Sequence, residues 1–232
     1  MQLTTRDAAR LLGVSDSTVH RWIKSGELNA TLVNDQYRFN RFDLLEFAAS
    51  RKMDISPDLL AELDTQATLP GLAEAVRAGG VHRDVPGTDK ASVLRAVVER
   101  LTLPKPGDAD LLYRVLLARE ALGSTGLGNG VAIPHPRNPI VLRVQKPAVA
   151  VCYLARPVDF EAIDAKPVHT VITLISPSTR VHLHLLARVA AALHDPGVAG
   201  KLGARAGAGE LVPEIERVEA AIAARRPGGA QP

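Results

Sequence analysis

Aromatic side chains make up only 3% of the 232 residues, so the cores must be built from aliphatic residues and alanine. A single cysteine, Cys152, excludes an intramolecular disulfide. It sits in the apolar run from Ala148 to Leu154, where a buried structural thiol is expected. No apolar run approaches the ~20 residues of a membrane span. No secretory signal is visible at Met1–Thr5, so a cytoplasmic protein without a membrane segment is expected. The net charge is a mild +3, which rules out a nonspecific basic coat. Contact with nucleic acid must therefore come from local placement of charge.

Hydrophobic residues reach 46%, and the length is more than one compact core usually needs, so two domains are expected. Residues 1–52 form a small unit. Within it, Thr5 caps a helix that Gly13 ends, and Ser15 caps a second helix that runs to Lys24 and stops at Gly26. Leu32-Val33 and Tyr37–Phe39 flank an Asn34-Asp35 turn, which predicts a hairpin or wing. Phe42 to Ala49 reads as a third helix. Residues 53–68 read as a linker, and the Pro-Gly-rich tail 226–232 as disordered.

Residues 69–225 alternate between helix and strand. Helices are predicted from Pro70 to Arg77, Lys90 to Leu101, Asp110 to Leu122, Ser178 to Leu193 and Glu214 to Ala224. Strands are predicted over Val81–Val85, Pro147–Leu154 and Pro167–Ile175, rich in valine and isoleucine. Gly123 to Gly130 reads as a glycine-rich loop.

On the second helix, Ser17, His20, Arg21 and Lys24 share a face opposite Val19, Trp22 and Ile23. Donors and positive charge on one side, with packing on the other, suit a recognition helix in the major groove. Arg38 and Arg41 would add backbone contacts from the wing. The alternative is a solvated face of a small protein-interaction module.

The glycine loop carries the second candidate site. Gly126, Gly128 and Gly130 open backbone conformations that let N–H groups approach an anion, and Thr125 and Asn129 lie among them. Ile133-Pro134 holds the chain extended ahead of His135. A neutral imidazole nitrogen is a competent nucleophile toward phosphorus, so His135 suits reversible phosphoryl transfer. Arg119 lies on the apolar stripe of Leu112, Val115 and Leu116, where it needs an anionic partner, a buried ion pair or a snorkelling stem. His182 shares the inward face of its helix with Leu185, Leu186 and Val189. His184, with Arg188 and Asp195, is expected to meet solvent. Candidate metal ligands are too scattered for a site, and no cofactor is expected.

The run Gly126-Leu127-Gly128-Asn129-Gly130-Val131-Ala132-Ile133-Pro134-His135 closely resembles the active-site signature of type 2 IIA domains. These are the fructose/mannitol and nitrogen-regulatory class of the phosphoenolpyruvate:sugar phosphotransferase system. The resemblance spans Leu69 to Ala224 and includes Gly79-Gly80-Val81-His82, Arg119-Glu120 and His182-Leu183-His184. It implies an α/β (α+β) domain with a mixed sheet flanked by helices. It also implies that His135 accepts a phosphoryl group from an HPr/NPr-like phosphocarrier protein, with Arg119 and His182 beside that group. Asn129 matches the nitrogen-regulatory branch better than the sugar-transport branches. Pro136 departs from the glycine or small residue common after the active histidine, and removes a backbone N–H.

Residues Leu3 to Ala49, with Leu11-Leu12-Gly13-Val14-Ser15 and Ser25-Gly26-Glu27-Leu28, resemble the MerR/excisionase-type winged helix-turn-helix, a small, mostly α unit. Together the resemblances imply a regulator in which phosphorylation of His135 alters DNA or protein binding. A homodimer and a regulatory protein target are further expectations. The alternatives are a component that passes phosphate to a IIB partner in sugar uptake, and a pure interaction module.

Overall fold

The computed structural model describes residues 3–33, 35–40, 43–44, 47–48, 51, 53, 69–105, 107–136, 142 and 144–224. The chain divides into two compact units, one within residues 1–68 and one within 69–225.

In the small unit, β1 (Leu3–Thr4) leads into α1 (Thr5–Leu11), followed by α2 (Asp16–Lys24), β2 (Thr31–Val33) and β3 (Gln36–Phe39). The α1 cap is Thr4 rather than Thr5. Asp7 lies three residues on and returns the contact, its carboxylate accepting from Thr4 N at 3.0 Å. Ser15 caps α2 as expected. Gly13 and Gly26 carry φ of +65° and +72° and turn the chain out of the two helices. The hairpin β2–β3 is joined on its other side by β1, with Leu3 opposite Phe39. Ala8, Ala9 and Leu11 of α1 and Val19 and Trp22 of α2 are buried, and the Trp22 ring lies 4.9 Å from Phe47. The expected third helix falls partly outside the described residues; within it, Asp43, Leu44, Phe47 and Ala48 are helical. Arg41 and the segments 54–68 and 226–232 also lie outside them.

The larger unit is a mixed five-stranded sheet with helices on both faces. In chain order it runs α3 (Leu72–Gly79), β4 (Val81–Val85), α4 (Lys90–Val98), α5 (Asp108–Glu120), β5 (Gly126–Gly128), β6 (Val131–Ala132), β7 (Ala148–Val158), β8 (Val168–Ile175), α6 (Thr179–His194), α7 (Pro196–Gly203) and α8 (Ala208–Ala224). The strand order is β4-β7-β8-β6-β5; β4 lies parallel to β7 and β6 parallel to β8, and the other pairs are antiparallel.

The alternation of a strand explains the layers. Ala150, Cys152 and Leu154 of β7 join the core formed with α4 and α5. Val149 and Val151 face α3, α6, α7 and α8 instead, beside Leu72, Val189 and Ile215. Both faces are covered, so β7 and β8 read as near-continuous apolar runs. The backbone of α3 rests directly on β7, because a Cβ at Gly79 would come within 2.4 Å of the Val149 carbonyl. Gly80, at φ +82°, then reverses the chain into β4. Among the described residues no helix is long and apolar enough to cross a membrane.

Two features of the larger unit go beyond the expected elements. The stretch expected as a loop forms the hairpin β5–β6, because β6 is drawn into the sheet by Val131 and Ala132 pairing with Thr170 and Val171 of β8. Helix α7 is capped by Asp195, which accepts from Gly197 N and Val198 N, with Pro196 in its first turn.

Candidate functional site

His135 follows β6 and is 2% exposed. Its Nδ1 lies 2.7 Å from the Ile133 carbonyl. A carbonyl only accepts, so Nδ1 carries a proton, and in the neutral ring the lone pair is on Nε2. The His182 ring sits 5.4 Å away, centroid to centroid, tilted by 41°. His182 enters from the first turn of α6 and is fully buried. Its Nδ1 is 3.0 Å from the Ser176 hydroxyl, the first residue past β8. Sequence reasoning missed Ser176; its one signal was a polar residue directly after an apolar strand.

Arg119 is buried at the end of α5, as its place on the apolar stripe required, and its Nη1 donates to the Gly123 carbonyl at 2.8 Å. The next residue, Glu120, is equally buried and accepts from the hydroxyl of Thr125 at 2.6 Å. Gly128, Asn129 and Gly130 all have positive φ and form the hairpin tip. Their sequence chemistry is spent largely on close packing. A Cβ at Gly126 would lie 2.7 Å from that of Ala162, and one at Gly130 would lie 2.3 Å from the His169 ring. The Asn129 N–H donates to Asp164 at 2.9 Å, so a carboxylate of the chain itself engages the N–H expected to meet an anion. Gly130→Ala combines a strained left-handed alanine with a ring overlap. A loss of about 2–4 kcal/mol is expected as a lowered denaturant midpoint.

In the small unit, Ser17, His20, Arg21 and Lys24 are all exposed, while Val19 and Trp22 are buried and Ile23 half-buried. The His20 ring meets Tyr37 of β3 edge-on at 5.7 Å, joining this face to the hairpin. Arg38 is half-buried and donates to the Gln36 side chain at 2.8 Å.

The family described as "Phosphoenolpyruvate-dependent sugar phosphotransferase system, EIIA 2" matches residues 75–217, more than half of the chain. The chain belongs to this EIIA 2 family. A helix-turn-helix domain family matches residues 3–52. The chain is similar to a nitrogen regulatory protein of Pseudomonas aeruginosa, 42% identical over 122 residues that cover 51% of this chain and 77% of the relative. It is also similar to one of Escherichia coli, 38% identical over 125 residues, 52% and 72% of the two. The crystal structure of nitrogen regulatory protein IIA-Ntr from Neisseria meningitidis superposes with a TM-score of 0.54 at 29% identity, covering 62% of this chain and 98% of that one. The fold and the two family resemblances drawn from the sequence are thus borne out.

One placement in the EIIA 2 unit differs from expectation. His184 and Arg188 do not meet solvent; they are 3% and 8% exposed. Helices α3 and α8 cover the side of α6 that a one-sided amphipathic reading leaves open. Burial pushes the His182 pKa down to about 3, with the neighbouring His135 adding to the shift. Burial, then the Arg188 charge, pushes His184 down to about 4, against the opposing pull of Glu219 and a hydrogen bond to Pro70. Both rings are neutral in the folded protein at pH 7. In the unfolded chain they titrate near 6.5, so between pH 6.5 and pH 4 the unfolded state binds more protons. Stability therefore falls as pH drops through that window, by up to about 1.4 kcal/mol per pH unit for each histidine. A fall in Tm of about 10 °C between pH 7 and pH 5 is expected by calorimetry for the larger unit. A flat profile over that range would contradict both buried neutral rings.

Cys152 is buried at the centre of β7, and desolvation pushes its thiol up to about 12. It is inert, as a structural thiol should be.

Proposed function

We propose that this protein is a phosphotransferase-system regulator that holds a phosphoryl group on His135 and binds DNA through α2. The single observation that carries this reading is the His135 Nδ1 contact to the Ile133 carbonyl, beside the neutral His182 ring. In the neutral ring that contact puts the lone pair on Nε2, the nucleophilic atom.

The donor is a histidine-phosphorylated carrier of the HPr type. The Nε2 lone pair of His135 forms the new N–P bond as the carrier's N–P bond breaks. The bonding electron pair returns to the carrier's imidazole, and the His135 proton stays on Nδ1 against Ile133. Because His182 is neutral, it carries one ring proton. The Ser176 hydroxyl can donate to Nδ1, and in that tautomer the proton sits on Nε2, where a phosphoryl oxygen would accept it. Arg119, at the end of α5, supplies the positive charge that the developing oxygens require. The glycine hairpin fixes the geometry of this corner, and no step needs a metal.

The relatives' name, nitrogen regulatory protein, supports a regulatory output rather than sugar uptake. The product carries nearly two negative charges, enough to change a protein or DNA interface. Ser17, His20, Arg21 and Lys24 would meet phosphates and base edges, with Arg38 and Arg41 adding backbone contacts from the wing. The test is incubation of the full chain with phosphorylated HPr-like carrier, followed by mapping of the modified atom. Label on Nε2 of His135 is the expected result, and label elsewhere or none rejects the reading.

A further inference from the structure

Glu120 ends α5, where a carboxylate meets the negative pole of the helix. It is also 6% exposed. A carboxylate kept at such a place costs free energy unless its oxygens are engaged. They are engaged by one residue above all: Thr125 donates its N–H to Oε2 at 3.1 Å and its hydroxyl to the same oxygen at 2.6 Å. Lys90 Nζ lies 3.6 Å from Oε1 and 3.2 Å from Glu161, which ties this carboxylate to the β7–β8 connection. The phosphoryl step described above uses none of these groups.

The contacts continue from Thr125 to the acceptor ring. The Thr125 carbonyl accepts the Ile133 N–H at 3.0 Å. The Ile133 carbonyl in turn accepts from His135 Nδ1 at 2.7 Å. Lys90, Glu120, Thr125, Ile133 and His135 thus form an unbroken series of direct polar contacts. Its last link decides which ring nitrogen keeps the proton.

We infer that Glu120 is a positioning residue for phosphoryl acceptance. By clamping Thr125 it fixes the Ile133 carbonyl, which holds the His135 proton on Nδ1 and leaves Nε2 to accept. The inference rests on the acceptor reading of His135. A carboxylate that served only as a staple for α5 and β5 would change stability alone. A positioning carboxylate also changes the tautomer of a ring it never touches, and with it the site of phosphorylation.

The experiment uses the full chain as wild type, Glu120→Ala, Glu120→Gln and Thr125→Val. Nitrogen-15 NMR reads the His135 tautomer in the free protein. Loading by phosphorylated HPr-like carrier gives kcat and KM, and mapping gives the modified nitrogen. In Glu120→Ala the proton is expected to divide between Nδ1 and Nε2, and some phosphoryl group to appear on Nδ1. The loading kcat is expected to fall by about 10–100-fold, as when other orienting partners of a histidine are removed, with the carrier KM within about twofold of wild type. Glu120→Gln keeps an acceptor for Thr125 and should fall between the two. A folded Glu120→Ala with wild-type tautomer, rate and modified nitrogen overturns the inference. If that variant fails to fold, wild-type behaviour in both Glu120→Gln and Thr125→Val overturns it equally. If the wild type takes no label at His135, the acceptor reading fails, and the tautomer measurement alone then judges Glu120.

Discussion

His135→Ala is expected to abolish labelling of the full chain by a phosphorylated carrier, while the circular dichroism spectrum stays that of the wild type. The loss should be complete because neither of the other two buried histidines is placed to substitute. His182 has its Nδ1 against Ser176 and is fully buried, and His184 lies under α3 and α8, close to Pro70. Removing one nucleophile from a preorganised site costs orders of magnitude in rate, with no residual pathway through a neighbour. Arg119→Ala should retain weak labelling, slowed by about 10²–10³-fold, as expected when one charge-stabilising donor is removed. Full labelling of His135→Ala would remove the basis of the phosphoryl reading.

The second large effect is expected at the face of α2 proposed to meet DNA. Joint replacement of Arg21 and Lys24 by alanine should weaken binding to a selected duplex by about 10²–10³-fold, since each such side chain is worth roughly 1–3 kcal/mol. The dependence of log K on log salt should become shallower by about one for each phosphate that is no longer neutralised. Fluorescence anisotropy with labelled duplexes reads both quantities. Arg77→Ala, which removes a half-exposed cation of the larger unit paired with Glu216, is the control for a cation outside α2 and should leave affinity unchanged. Equal affinities for the double variant and the wild type would leave α2 without a role in DNA recognition. The small unit would then be a protein-docking module.

Local chemistry was legible in the chain wherever the signal was local. Ser15 and Gly26 bracket α2, and the apolar spacing of Val19 and Trp22 predicts which side is covered. His182 was placed inward by its helical neighbours, and it is. What could not be read depends on partners far along the chain. Strand β1 is two residues long and exists because Phe39 pairs with Leu3. The glycine stretch is a hairpin because Thr170 and Val171 lie beside Val131 and Ala132, far away in sequence. His184 was misplaced because a helix covered on both sides gives no amphipathic contrast. Helix α7 was readable in principle from Asp195-Pro196, but Gly197, Gly200 and Gly203 weaken its propensity and only Val198 and Leu202 are buried. Glu120 was visible as a residue, yet only the fold discloses that its carboxylate holds Thr125.

The layering of β7 has a practical consequence. Because Cys152 projects into the α4–α5 core and its sulfur resists ionisation, maleimides and iodoacetamides should pass it by. A thiol engineered onto the surface would then be the sole point of attachment for a dye or spin label. With its one thiol buried and unreactive, the native chain already serves as the background for such labelling, ready for distance measurements before and after loading with carrier.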